Sequence, residues 1–339
     1  MNKYQSIAIT VFALLSSSNA LHAQSFGIDL EGEVQTDFRG GYNMVSYLRL
    51  DTEFPLSEHL SFQFSTLTLG QLHPDQLVPD HQTYSNLEVG NHLLNVAVAG
   101  FGWQINDRHY LFAGIRPMDD DYFMSEVTNF FTNSSCGIFP TLSANYPINI
   151  FPVTTVGIHY SYQREQFVWQ ASAYNGIAYE RLTGQVNIFR FCPASDGMQF
   201  FTQGEYIYQD SHYFLGGSLY ARGKSLRQEM STSLSPTMWT YAEQQITPSL
   251  TLIADYAHAF GPESECSDFA GFGGRLKMGR NEVGLFTDYA RFSETEEWAT
   301  ELTFHIPIFA NTYLQPTLHY IVNESRRLAG LLRFVYLLE

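Results

Sequence analysis

From Ser25 onward the chain alternates apolar and polar residues over segments of about ten residues, each closed by a turn. That is the period of strands whose two flanks face different surroundings. In MVSYLRLDTEF, Met44, Leu48, Leu50 and Phe54 fall on one face and Tyr47, Arg49, Asp51 and Glu53 on the other. SLTLIADYAH sends Leu250, Leu252, Ala254 and Tyr256 one way and Thr251 and Asp255 the other. NEVGLFTDYA sets Val283, Leu285 and Tyr289 against Glu282 and Asp288, and ATELTFHI sets Leu302, Phe304 and Ile306 against Glu301, Thr303 and His305. No segment shows the 3.6-residue period of an amphipathic helix of ordinary length.

The connections alternate short with long. FPLSEH, INDRH, YQREQ, YQDSH, ITPSL, MGRNE and IPIFANT are short and rich in Asn, Asp, Gly or Pro, as tight hairpins require. Between them come longer links: Arg39 to Gly41, Gly70 to Gly90, Pro117 to Pro152, Gly176 to Gly197, Arg222 to Ser235, Phe260 to Asp268, Ser293 to Glu296 and Asn323 to Arg327. These connections predict sixteen strands. A soluble sandwich has no reason to segregate its loops by length, whereas a membrane barrel carries short periplasmic turns at one rim and long external loops at the other. The expected fold is therefore all-β: a transmembrane antiparallel β-barrel of about sixteen strands, closed because a free strand edge in hydrocarbon leaves every backbone polar group unmet. Aromatics near strand ends, Phe54, Tyr160, Tyr162, Tyr206, Tyr208, Trp239, Tyr241, Tyr289, Trp298, Tyr313, Tyr320 and Tyr336, are expected to form the interfacial girdles.

A barrel of that size leaves a lumen wide enough for water, so something has to narrow it. The longest link, residues 117–152, is too apolar to stay in water: it carries Phe123, Phe130, Phe131, Ile138, Phe139, Leu142, Tyr146, Ile148 and Phe151. Folded back inside, it packs on the wall and forms a constriction loop. The alternatives are an external lid or an oligomer contact.

Composition adds three constraints. The start, MNKYQSIAITVFALLSSSNALHAQ, has a basic n-region at Lys3, an apolar core from Ile7 to Leu15 and a small-residue cleavage site, so residues 1–23 read as a signal peptide and 24–339 as the barrel. That core has about half the length of a membrane-spanning helix. A net charge of −16, with only three lysines, argues against nucleic acid as a partner. Cys136, Cys192 and Cys266 are odd in number and lack zinc-site spacing, which leaves one disulfide or free thiols open.

Two segments carry a family resemblance. FFTNSSCGIFPTLSANYPINIFPVTTVG resembles the Phe-x-Asn-Ser-x-x-Gly-x-x-Pro segment and following Tyr/Phe-Pro pair of the carbohydrate-selective porins of the OprB type. ETEEWATELTFHIPIFANTYLQPTLHYIVN is similar to that family's last hairpin, with Leu-Gln-Pro-x-x-x-Tyr-Ile-x-Asn at Leu314 to Asn323. The chain departs from the family where ESRR follows Asn323 and where Glu339 ends a terminus that is often aromatic. The resemblance implies a bacterial outer-membrane pore for passive diffusion of sugars, surrounded by outer-membrane lipid, with a homo-oligomer left open.

No catalytic constellation stands out. The serines lack a GxSxG setting, and no paired His or Cys suggests a metal. No enzyme activity, metal or cofactor is expected, with an outer-membrane lipase or protease barrel as the alternative. Sugar passage needs polar groups that exchange hydrogen bonds with hydroxyls, and aromatic faces for C–H surfaces. The candidates on polar faces are Tyr47, Arg49, Asp51, Arg108, Tyr110, Arg116, His159, Gln170, Glu205, Asp255, Glu301, His305, Gln315 and His319. Arg116 with Asp119, Asp120 and Asp121 stands apart, because a strand delivers them directly into the expected constriction. Rival readings are a general or cation-preferring diffusion pore, for which the acidic balance speaks, and a structural or surface-binding barrel without transport.

Overall fold

A computed structural model of the chain describes residues 25–73, 75–179, 187–225, 234–261 and 263–338; the expected signal peptide lies outside the described residues. Among these, the strands are β1 (Ser25–Thr36), β2 (Tyr42–Pro55), β3 (Leu60–Gln71), β4 (His92–Asn106), β5 (His109–Arg116), β6 (Thr155–Arg164), β7 (Phe167–Asn175) and β8 (Gly197–Tyr208). The second half holds β9 (Ser211–Arg222), β10 (Leu234–Thr247), β11 (Leu250–Ala259), β12 (Cys266–Met278), β13 (Asn281–Phe292), β14 (Glu296–Phe309), β15 (Thr312–Val322) and β16 (Arg326–Leu338). Each pairs antiparallel with its sequence neighbours, and β1 closes the ring against β16 from Ile28↔Leu338 to Thr36↔Gly330.

Closure explains why two-sided strands suffice. Every strand edge is paired, so no row of backbone donors is left bare. Met44 is 53 % exposed while its neighbour Val45 is 4 % exposed, and the same contrast separates Leu285 from Phe286. The exposed set, including Leu30, Val34, Phe101, Ile158, Leu215, Phe272, Leu318 and Phe334, forms an apolar outer surface far larger than a water-soluble monomer presents.

The inside is not empty. Residues 117–154 leave β5 at the long-loop rim, turn back into the lumen and pack on the far wall. Residues 75–91, before β4, do the same beside them, burying Val78, Tyr84 and Leu87. The two loops join where the Asn86 amide donates to the Thr132 carbonyl (2.8 Å) and that of Ser134 to Thr83 (3.0 Å). The alternation anticipated the first loop; the inward course of the second is new.

The packed lumen corrects part of the expected girdle. Trp239 and Tyr241 are fully buried and face inward, and Tyr313 stacks on His305 inside the barrel (4.4 Å). Tyr206, Tyr208, Trp298 and Tyr320 do face outward. All three cysteines are free thiols.

Candidate functional site

The insertion is shaped by its own sequence. Pro117 lacks an N–H and ends β5, after which Met118–Asp120 make a tight 3₁₀ turn. Asn149 fastens the neck: its side-chain amide donates to the Arg116 carbonyl (2.8 Å) and its own carbonyl accepts from Met118 (2.6 Å). Asn133 caps a short helical turn at Ser134–Gly137, accepting from the Ser135 amide at 3.0 Å.

Two kinds of contact hold the insertion on the far wall. Apolar rings interlock: Phe123 lies 5.1 Å from Trp239 and 4.9 Å from Phe139, which reaches Phe269 at 5.1 Å, and Tyr146 stacks on Tyr220 at 4.9 Å. Phe130 seats directly over Gly284, where a Cβ would come within 2.6 Å of its ring. Buried wall carboxylates then take up amides of the loops, as a desolvated carboxylate requires. Glu243 accepts from the Val127 amide (2.9 Å), and Glu301 from those of Thr132 (2.8 Å) and Asn133 (3.0 Å). Glu297 accepts from the His81 and Gln82 amides of the second loop, and Asp288 from the side chains of Gln82 and Asn133.

The near wall, β1 to β6, is different. Arg49 forms a two-pronged pair with Asp120 (2.9 Å each) and donates from Nε to Asp51 (3.0 Å). Arg116 reaches Asp121 at 3.0 Å and lies 4.7 Å over the Phe112 ring; its Nε is buried without a partner. Asp121 also faces His159 at 3.3 Å, and His159 meets the Ser172 hydroxyl at 2.8 Å. Asp119 accepts from the Phe151 amide. Burial, with Asp120 next door, pushes the Asp119 carboxyl up to about 7. Asp121 is likewise raised by burial to about 7, with Arg116 opposing. Burial would also lift Asp120, but Arg49 outweighs it and holds that carboxyl below its usual range.

Two cavities meet at this triad. One, about 370 Å³, lies among both inward loops; the other, about 560 Å³, opens toward the short-turn rim along β1 and β2. They share Asp29, Tyr47, Asp120 and Met124, which therefore ring the narrow point between them.

The sequence candidates divide accordingly. Tyr47, Arg49, Asp51, Asp119 and Asp120 line these cavities, with Arg116 at the lower one. Tyr110 takes part through Gln63, which donates to its hydroxyl at 3.1 Å, while Asp121 and His159 sit just behind the narrow point. Glu301, Gln315 and His319 do not face a wet bore, contrary to expectation: the insertion covers them, with Gln315 donating to the Phe130 carbonyl (2.9 Å) and His319 meeting the Thr132 hydroxyl (2.9 Å). Asp255 is buried on the same side, and His305 lies under Phe130 at 3.9 Å. Glu205 pairs with His212 (2.6 Å) away from the constriction, and Arg108 is exposed in the turn joining β4 to β5 rather than on a wall strand. The sequence reading missed Asp29 and Glu31, which the alternation in SFGIDLEGEVQT places inward, and the fastening acids Glu243, Asp288 and Glu297. Glu33 was missed as well; it pairs with Arg333 and accepts from the Ser85 hydroxyl at 2.7 Å.

Known structures share this plan. The high-pH structure of Pseudomonas putida OprB superposes with a TM-score of 0.78 at 14% identity, covering 98% of this chain and 97% of that one. The fold is that of an OprB-type porin. The low-pH structure of the same OprB matches with a TM-score of 0.63 at 12% identity over 100% of this chain and 98% of that one. OmpT of Vibrio cholerae in its trimer form gives 0.61 at 11% identity, covering 94% and 100%. No family model and no curated protein matches the sequence. Within this fold, the inward insertion brings Asp120 against Arg49 of β2.

Proposed function

We propose that the protein is a passive outer-membrane porin for carbohydrates and similar small polar solutes, with the long loops outside and the short turns in the periplasm. The observation that carries this reading is the narrow point shared by two cavities, ringed by Asp29, Tyr47, Asp120 and Met124, with Arg49 and Asp51 beside it in the lower chamber. Guanidinium and carboxylate groups offer fixed donors and acceptors to hydroxyls, and the ring offers a face to sugar C–H bonds. A weak, polar, water-filled site of this kind exchanges hydrogen bonds without trapping the solute. The fold neighbours are channels, which fits transport rather than catalysis, and the trimer form of OmpT makes a homo-oligomer in the membrane the natural assembly to test.

Swelling of proteoliposomes in sugars of increasing size tests the reading: hexoses enter and oligosaccharides beyond the bore do not. Absence of swelling with every sugar, in vesicles that hold folded protein, would leave only a sealed structural barrel. A second reading, a cation-preferring general pore, is favoured by the lining: Asp29, Glu31, Asp51, Glu53, Asp119 and Asp120 outnumber Arg49 and Arg116, even with Glu31 paired to Arg333 behind it (3.1 Å). Reversal potentials in a KCl gradient measure that preference separately from sugar flux.

A further inference from the structure

The structure assigns a second binding site to the short-turn half of the lumen, across the insertion from Arg49, for a neutral polyhydroxylated ring such as a hexose; this rests on the channel reading above. A chamber of about 630 Å³ lies there between the insertion tip and β12 to β16. It touches the upper cavity at Asn129 and the Arg49 chamber at Leu337, and shares no other lining residue with either. The insertion tip therefore splits the lower lumen in two.

Three rings build one side of this chamber. Phe130 covers His305 at 3.9 Å, and His305 stacks on Tyr313 at 4.4 Å with planes 27° apart. Tyr313 ends the stack and is partly exposed, so a ring face remains for a ligand. Phe130 itself is locked over Gly284, and the Gln315 amide holds its carbonyl, so the stack is fixed before any ligand arrives.

Charge decides what the chamber accepts. Arg275 is held by Glu126 (2.6 Å) and Glu282 (3.6 Å), and with Arg280 the lining has two guanidiniums and two carboxylates. Within the chamber an anion would have to displace Glu126 from Arg275, since Arg280 sits exposed in the turn after β12 at its mouth, and a cation would meet both guanidiniums. A neutral ligand disturbs neither pair. The side chains of Asn129 and Asn311 offer donors and acceptors together, and the buried Nε of Arg275 has no partner. An aromatic face beside fixed, balanced hydrogen-bonding groups suits a pyranose, with its C–H face on Tyr313 and its hydroxyls toward Glu282 and the amides.

The test is single-channel recording of the refolded mature protein in a planar bilayer, with D-glucose added to each side in turn. Wild type shows two populations of current block. Tyr313→Ala and Glu282→Gln each shorten by about tenfold the blocks seen with sugar on the short-turn side and leave the Arg49-dependent blocks as they were. Heat-modifiable migration on gels confirms folding, and Glu282→Gln decides the matter if Tyr313→Ala does not fold. Wild-type dwell times from both directions in a folded variant would overturn the second site, while blocks sensitive to Arg49→Ala would keep the channel reading standing. No block from either side in wild type would overturn both.

Discussion

One insertion meets two walls of the barrel in opposite ways. Where it grips β10 and β14, away from the chamber under its tip, it is dry: Phe123 interlocks with Trp239, and Glu243 and Glu301, both buried, take up its amides. Against β1 to β6 it is wet, held by guanidinium pairs at the edge of two cavities. The difference separates two jobs that one loop performs. Buried carboxylate–amide bonds and rings fix where the loop lies, and guanidinium–carboxylate pairs, largely buried but at the edge of the cavities, shape the space beside it.

That division is open to attack from the dry side first. Trp239→Ala, which empties a fully buried site, is expected to destabilise the folded protein by about 3–5 kcal/mol and to make the conductance noisy as the insertion loosens. Urea unfolding followed by intrinsic fluorescence, with parallel bilayer recordings, measures both. Glu301→Ala leaves the Thr132 and Asn133 amides buried without an acceptor, and a loss of about 2–4 kcal/mol is expected, with ion selectivity retained in the fraction that stays folded.

On the wet side the expected pattern reverses. Arg49→Ala removes one of the two guanidiniums beside the narrow point and should raise cation preference by roughly twofold; it also leaves the buried Asp120 without its two-pronged partner, though Arg116 still faces it, so the stability loss should be smaller than that of Glu301→Ala. A loss larger than that of Glu301→Ala would mean that the two walls are not so different. Arg116→Ala should shift ion preference or sugar block more than Arg326→Ala, since Arg326 begins β16, exposed at the long-loop rim; equal behaviour would move the constriction elsewhere.

The smallest effect is a pH dependence. Asp119 and Asp121 ionise near 7 in the folded protein, well above the ordinary 3.8, so the folded state holds protons that the unfolded chain gives up. Their contribution to stability therefore declines as pH rises from about 4 to about 7 and levels off above, while negative charge beside the constriction of the folded protein grows within about one pH unit of 7. Reversal potentials at pH 5 and pH 8 should show the higher cation preference at pH 8, and Asp119→Asn should flatten the change.

Much of this barrel was legible in advance because lipid and lumen impose opposite chemistry on alternate residues. The strand pattern and the long-loop rim follow from that, and the apolar run from Phe123 to Phe151 could not stay in water, which favoured the lumen over an external lid or an oligomer contact. The second inward loop was not legible. QLHPDQLVPDHQTYSNLEVGN is polar enough to sit in water, and what draws it in are Glu297, Asp288 and Thr132, far away in sequence. Trp239, Tyr241 and Tyr313 were assigned to the membrane interface because a periodic pattern names two faces without saying which is oily, and an apolar plug makes the inner face oily too. Asp29 and Glu31 were readable from β1 alone. Asp255, Glu301 and His319 lie inside the barrel but buried, because whether an inward residue is wet depends on what the loop covers, which no local pattern records.

The fastening of the insertion also dictates a sequence of events. Its stem leaves the barrel wall between β5 and β6, yet Glu243 and Glu301, the residues that grip it, sit 116 and 169 positions from their partners in the loop. Those grips exist only once β10 and β14 stand in place, so the plug cannot be fastened by the N-terminal half of the barrel alone, and its position is a property of the whole chain.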